Sequence, residues 1–266
     1  MSKLEMAKLD DIAGLPAPKI ISETADYLVI DKPAGLAVHG GGNLSGPKLV
    51  DWLLRQYPDI KRVGDDLTRP GLVHRLDKDV SGLMVIAKNQ ASFEDLKRQF
   101  KDRDVNKEYL ALVHGRLSQD AGVIDFPITR AKSGYKMAAL PAHTTDLLTR
   151  PRPRTRDQGN IDSWLKSRQA LTEFTVLQRF VNYSLLRVRI KTGRTHQIRV
   201  HLFALGHPLA GDQLYRTKKS KAQNAKMSLG RVFLVADRLS FRDRQGQTRN
   251  FSLPLPAELV PMLPKH

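Results

Sequence analysis

The chain has 266 residues, 41% hydrophobic and 27% charged, which allows a sizeable buried core and excludes a disordered basic tail or a fibrous protein. Lys and Arg number 44 against 27 Asp and Glu, and the net charge of +17 points to a polyanion, nucleic acid, as partner. Cysteine is absent, which excludes disulfide frameworks, thiolate metal sites and cysteine nucleophiles and fits a reducing, cytoplasmic setting.

The N-terminal MSKLEMAKLDDIAGLPAPK lacks the continuous apolar core of a signal peptide, and no stretch approaches the roughly 20 apolar residues that span a bilayer. No long basic amphipathic helix with bulky aromatics suggests a membrane surface. Residues 1–18, ending in Pro16 and Pro18, read as a flexible leader, and 19–266 as one strand-rich α+β domain without internal repeat or linker. From Tyr27, YLVIDKPAG reads as a strand halted by Pro33 and Gly35, followed by the glycine-rich loop VHGGGNLSGPK. Lys48 to Tyr57 places Leu49, Trp52, Leu53 and Gln56 at helical spacing. GLMVIAK, Gly82 to Lys88, is a compact apolar run expected as a buried strand. After it, Ser92 with Asp95 three residues on predicts a helix start, with Phe93, Leu96 and Phe100 on one face.

KEYLALVHG and TEFTVLQRF read as strands, and in YSLLRVRI Leu186, Val188 and Ile190 alternate with Leu185, Arg187 and Arg189, one face buried and one basic. Thr195 is expected to open a helix striped by Ile198, Leu202 and Leu205 and ended by Gly206 and Pro208. Two segments, Arg150, Arg152, Arg154 and Arg156 among prolines and the lysine-rich stretch from Arg216 to Lys226, are expected as exposed basic loops. Leu239 and Phe241 before DRQG, with Phe251 and Leu253 after it, predict a terminal hairpin.

Polar residues concentrate in RPGLVHRLDKDVSGLMVIAK, where His74, Arg75 and Asp77 precede Ser81-Gly82 at the mouth of a buried strand. A carboxylate there can be held rigidly yet stay reachable; equally, Asp77 could cap a turn with Arg75 as its surface ion-pair partner. In KTGRTHQIRVHLFALGHPLAGD, the histidines His196, His201 and His207 lie five and six residues apart, on different helical faces, unlike a metal-binding i, i+4 pair. Arg194 and Arg199, near a helix start, can clamp a phosphate or hold a carboxylate at two points. Tyr109 could equally be a core aromatic. GGGN near Asn43 lacks the order of a phosphate-binding loop, so no nucleotide cofactor is assigned.

Taken together, HRLD, SGL at Ser81 to Leu83, KEY at Lys107 to Tyr109, TGRTHQIRVHL and GHPLAGD resemble, in order and spacing, the RluA-type family of RNA pseudouridine synthases, over nearly the whole chain from about Ile20. DKPAG followed by AVHGG is similar to the branch that modifies large-subunit ribosomal RNA. The resemblance implies an α+β fold: a mixed, mainly antiparallel bent sheet with flanking helices and loops around a central cleft. It implies an isomerase that needs no cofactor and no metal, detaching uracil from C1′ of ribose, rotating it and rejoining it through C5.

By motif, Asp77 matches the catalytic aspartate, acting as nucleophile or as base at the sugar; an aspartate is ordinarily ionised at neutral pH. Tyr109 matches the active-site tyrosine that stacks on the target base and assists proton removal from C5. Arg199 matches the arginine that pairs with the aspartate. Arg75 matches the arginine that fills the space of the flipped-out nucleotide, whose extrusion costs a few kcal/mol. His74, Arg194 and His196 are expected RNA contacts. Val80 stands in place of the usual threonine, and LVAD near Val235 in place of a leucine-histidine-alanine run. Only about 18 residues precede the catalytic region, where many members carry an RNA-binding domain. Substrate positioning therefore falls to Arg152, Arg154, Arg156 and the Lys218 to Lys226 stretch. The expected partner is ribosomal RNA, with transfer RNA as the alternative substrate and a catalytically silent RNA-binding assembly protein as the alternative class. A monomer without membrane association is expected.

Overall fold

The structure, a computed structural model, describes residues 11–12, 15–40, 46, 48–131, 133–134, 136–140, 166–227 and 229–264. In chain order the strands are β1 (Asp11–Ile12), β2 (Leu15–Pro16), β3 (Lys19–Glu23), β4 (Tyr27–Lys32), β5 (Ser81–Ala87), β6 (Asn106–His114), β7 (Ala121–Ile124), β8 (Ile128–Arg130), β9 (Met137–Ala139), β10 (Thr172–Arg179), β11 (Tyr183–Ile190), β12 (Leu234–Arg242) and β13 (Thr248–Ser252). The helices are α1 (Leu49–Gln56), α2 (Gln90–Asp102), α3 (Gln197–Ala204) and α4 (Lys218–Met227). Among the described residues, no helix is long and apolar enough to cross a membrane. The chain divides into two compact units, residues 1–111 with 229–263, and 112–228 with 264–266. Of the expected leader, the described part contains a two-residue antiparallel ladder between β1 and β2.

The first unit is organised on β5. All seven of its residues are buried, and it has a strand on each side: β4 runs antiparallel from Tyr27↔Ala87 to Lys32↔Gly82, and β12 runs parallel at Val235↔Ser81 and Ala236↔Gly82. A strand buried on both faces reads as a continuous apolar run rather than an alternation, the pattern SGLMVIA carries. Gly82 has a φ of 120°, and a Cβ there would meet the Ala236 carbonyl oxygen at 2.2 Å, so only glycine lets the two backbones come this close. The order in this unit is β3-β4-β5-β12-β6, with β13 paired to β12. The expected terminal hairpin is β12 and β13, and its Phe241 packs on Tyr27 edge to face, with centroids 5.1 Å apart.

The second helix starts earlier than its sequence suggests. Asn89, not Ser92, caps α2, accepting from Ser92 N at 2.9 Å, and Asn89 is itself tied to Asp26 at 2.9 Å. Ser92 lies one turn inside, buried, its hydroxyl donating to the Asp26 carbonyl. Asparagine caps as well as serine, and the tertiary anchor on Asp26 decided between them.

In the second unit β11 pairs antiparallel with β10, and β10 with β7, while β8 and β9 form a separate pair. The alternation expected in β11 is present: Leu186, Val188 and Ile190 are buried and Arg189 is exposed. Helix α3 begins at Gln197, with His196 at its N-cap in the left-handed region at φ 55°, and not at Thr195. Gln197 replaces the usual cap by reaching back: its Oε1 accepts from Arg194 N at 3.0 Å and from the Thr192 hydroxyl at 2.7 Å. The stretch Lys218–Met227, expected as a loop, is helix α4. Thr217 and Ser220 cap each other reciprocally, with N–H to hydroxyl distances of 2.9 and 3.0 Å. Ser220 and Asn224, four residues apart, are buried on one face, so a helix of good formers is docked by two polar residues instead of an apolar stripe.

Candidate active site

Asp77 sits in the turn Asp77–Val80, closed by Val80 N donating to Asp77 O at 3.2 Å, immediately before β5. Side chains on both flanks fix this turn. Lys32, at the end of β4 and fully buried, donates its ammonium to the carbonyls of Pro33 and Leu36 at 2.8 Å and of Lys78 at 3.2 Å, while Gly35 N also donates to Lys78 O at 2.9 Å. The DKPAG segment is thereby bolted to the residue after Asp77. Burial above all, and the Arg231 charge besides, push the Lys32 ammonium down to about 7, against the pull of Asp79, Asp77 and Asp31. On the other flank Arg231 donates to the Ser81 hydroxyl at 2.7 Å and pairs with Glu258 at 2.9 Å.

Tyr109 lies on β6 opposite Ala236 and is 5% exposed. Burial first, and the negative charge of Asp77 second, push its phenol well above the usual tyrosine range. The first unit therefore brings Asp77 and Tyr109 together, a carboxylate beside an aromatic ring that stays a neutral phenol at physiological pH. Such a ring can stack on a base and donate a hydrogen bond.

His74 has internal partners: its Nε2 accepts from Val85 N at 3.0 Å and its ring stacks on Phe100 at 4.6 Å. Burial and the nearby Lys107 charge push the imidazole down to about 3, so it is neutral. Lys107 lies 5.1 Å from the Phe100 centroid and is itself pushed down to about 8 by burial. Arg75, between His74 and the buried Leu76, is exposed, and its Nη1 lies 3.0 Å from His39 Nε2.

The second unit holds Arg199, Arg194 and His196. Arg199, on α3, donates from Nε and Nη2 to the two carboxylate oxygens of Asp212 at 2.8 and 2.9 Å, with both side chains buried. Asp212 also accepts from the amides of Leu214 and Tyr215 at 2.8 and 2.9 Å, and the Tyr215 ring lies 5.4 Å from the guanidinium. The Tyr215 hydroxyl accepts from Met137 N at 2.8 Å and lies 3.0 Å from His196 Nδ1. Arg194 donates from Nε to Gln169 O at 3.2 Å. His201 is wholly internal, with Nδ1 2.9 Å from the Thr172 hydroxyl and Nε2 2.9 Å from Phe126 O. Arg152, Arg154 and Arg156 lie outside the described residues.

Lys32, His39, Arg231, Asp212 and Tyr215 are the functional candidates that motif reading passes over. The available signal was a Lys and an Asp inside short glycine- and proline-bearing turns, but one sequence does not say which carbonyl or cation each meets.

A model of the family described as RNA pseudouridylate synthase matches residues 26–204. An uncharacterized RNA pseudouridine synthase of Aquifex aeolicus is 42% identical over 212 residues, covering 79% of this chain and 60% of that protein. The ribosomal large subunit pseudouridine synthase D of Nitrosomonas europaea is 39% identical over 249 residues, covering 92% and 64%. The chain thus spans about three fifths of the length of these relatives. Among solved structures, human RNA pseudouridylate synthase domain containing 4 superposes with a TM-score of 0.67 at 27% identity, covering 92% of this chain and 91% of that one. It shares the mixed, mainly antiparallel α+β fold expected from the motifs. With the family's model matched over residues 26–204, most of the chain, this protein belongs to the RNA pseudouridylate synthase family.

Proposed function

We propose that this chain is an RNA pseudouridine synthase acting on uridines of large-subunit ribosomal RNA, with residues 19–266 as its catalytic domain. The observation that carries the reading is the Asp77 carboxylate on a doubly anchored turn, its charge felt by the buried Tyr109 phenol, in a chain of this family. Asp77 is the group that attacks or deprotonates the sugar, Tyr109 the ring that holds the base, and Arg199 the motif arginine that completes the set. Arg75 fills the space of the flipped nucleotide, and His74, Arg194, His196, Arg152, Arg154 and Arg156 serve RNA binding. The N1–C1′ bond breaks, a C5–C1′ bond forms, C5 loses a proton and N1 gains one, so the product is an isomer and no co-reactant is consumed. The internal bonds of His74 and the bond of His196 to Tyr215 suit these two to shaping the RNA surface more than to direct charge pairing. The name of the Nitrosomonas relative supports the ribosomal substrate. A monomer in the cytoplasm, working without metal or cofactor, completes the proposal.

The test is pseudouridine mapping of ribosomal and transfer RNA from cells lacking the protein, complemented with wild type or Asp77→Asn. Particular large-subunit sites should vanish and return only with the wild type. Loss confined to transfer RNA overturns the substrate. Persistence of every site, with no activity of the purified protein on unmodified RNA, favours a silent RNA-binding protein.

A further inference from the structure

His39 lies in the segment joining β4 to α1, and its imidazole has no task in the reaction described above. Its backbone is fixed. The carbonyls of Ala37 and Val38 accept from Leu49 N and Val50 N, at the start of α1, at 2.8 and 3.1 Å, and the Leu36 carbonyl is held by Lys32. Its ring is bonded at both nitrogens, with Nδ1 2.7 Å from Gly40 O and Nε2 3.0 Å from Arg75 Nη1.

A carbonyl only accepts and a guanidinium only donates, so these two partners settle where the proton is: Nδ1 carries the hydrogen and Nε2 offers its lone pair to Arg75. The arrangement exists only with a neutral imidazole. A protonated His39 would set one N–H against another at 3.0 Å and one cation against a second.

Arg75 is the exposed member of a stretch whose neighbours are anchored. His74 is bonded to Val85 and stacked on Phe100, and Leu76 is buried. A free arginine side chain samples many rotamers, and ordering it costs up to about 2 kcal/mol. Holding its guanidinium in place before RNA arrives removes part of that loss from the step in which it enters the helix.

We propose that His39 is a positioning residue for Arg75, holding the guanidinium at one place from which it enters the space left by the flipped uridine. This rests on the reading of the chain as a pseudouridine synthase. The groups around the imidazole agree with a neutral ring. Burial lowers its titration, the Gly40 carbonyl opposes this, the cations of Arg75 and Arg69 lower it further, and Asp66, paired with Arg69 at 2.8 Å, pulls the other way.

Single-turnover pseudouridine formation at saturating RNA tests the role. His39→Phe should slow the reaction about fivefold without changing RNA affinity, and His39→Gln, whose side-chain oxygen also accepts, should restore most of it. In an Arg75→Ala background the His39→Phe change should add nothing. The wild-type rate should fall only at pH values below the ordinary histidine range, since the His39 midpoint is lowered by burial and by Arg75, and the His39→Gln rate should not fall there. Equal slowing by His39→Phe with and without Arg75 would make His39 a mere loop staple and overturn the proposal.

The pair is also read without catalysis, by NMR of 15N-histidine-labelled full-length protein. The His39 midpoint should lie below the ordinary value and rise in Arg75→Ala; an unmoved midpoint overturns the pair. A wild-type protein that makes no pseudouridine would instead overturn the underlying function, whatever the midpoint does.

Discussion

Arg199 and Asp212 meet at two points, 2.8 and 2.9 Å, with the carboxylate fully buried and the guanidinium nearly so. Removing Asp212 takes a two-point partner from the buried guanidinium and leaves the Leu214 and Tyr215 amides without the oxygen they donate to, which outweighs what the pair contributes when intact. Asp212→Ala should therefore destabilise the protein by about 3 kcal/mol or more in urea denaturation. A loss under about 1 kcal/mol would mean that the guanidinium finds another partner or water.

Tyr109 separates packing from chemistry. Tyr109→Phe keeps the ring in its slot on β6, so stability should stay within about 1.5 kcal/mol of wild type. Single-turnover product formation should drop by about a hundredfold, because the phenol O–H is lost. An active Phe variant would leave stacking as the whole contribution of this ring.

Lys107 gives a pH signature. Burial holds its ammonium at about 8, below its unfolded value near 10.4. Between those values the unfolded chain binds the extra proton, so stability from this group rises with pH, and the penalty is full below about 8. Lys107→Met should melt higher than wild type at pH 7, and its advantage should shrink as pH climbs from 8 to 10. A melting difference independent of pH would show that the ammonium is solvated in the folded state.

Gly82 admits no side chain. A Cβ would meet the Ala236 carbonyl oxygen at 2.2 Å at a φ of 120°, so the strand must shift or the pairing of β5 with β12 must open. Gly82→Ala should cost about 3 kcal/mol or more, seen as a large drop in melting temperature. Because Asp77 is anchored through Ser81 and Lys78 on the same structure, pseudouridine formation should fall with it. A variant of wild-type stability would place the backbone farther from β12.

What sequence alone determined about this protein lies where a local rule applies without help. The seven buried residues of β5, the in-and-out alternation of β11 and the hairpin around DRQG follow from periodicity, and the HRLD and KEY motifs name Asp77 and Tyr109 by residue type and order. What only the tertiary structure decided depends on which groups meet. Asn89 displaced Ser92 as a cap because Asp26 was there to hold it, and the basic stretch after Arg216 became a helix because Ser220 and Asn224 could be buried. Arg199 meets the buried Asp212, thirteen residues away, at two points, and the task of Lys32 is to fasten the carbonyl beside Asp77 from a strand 46 residues earlier than Lys78. Periodicity is a property of consecutive residues, but an ion pair or a hydrogen bond is chosen by distance in space, and burial makes that choice strong by removing water as the competing partner.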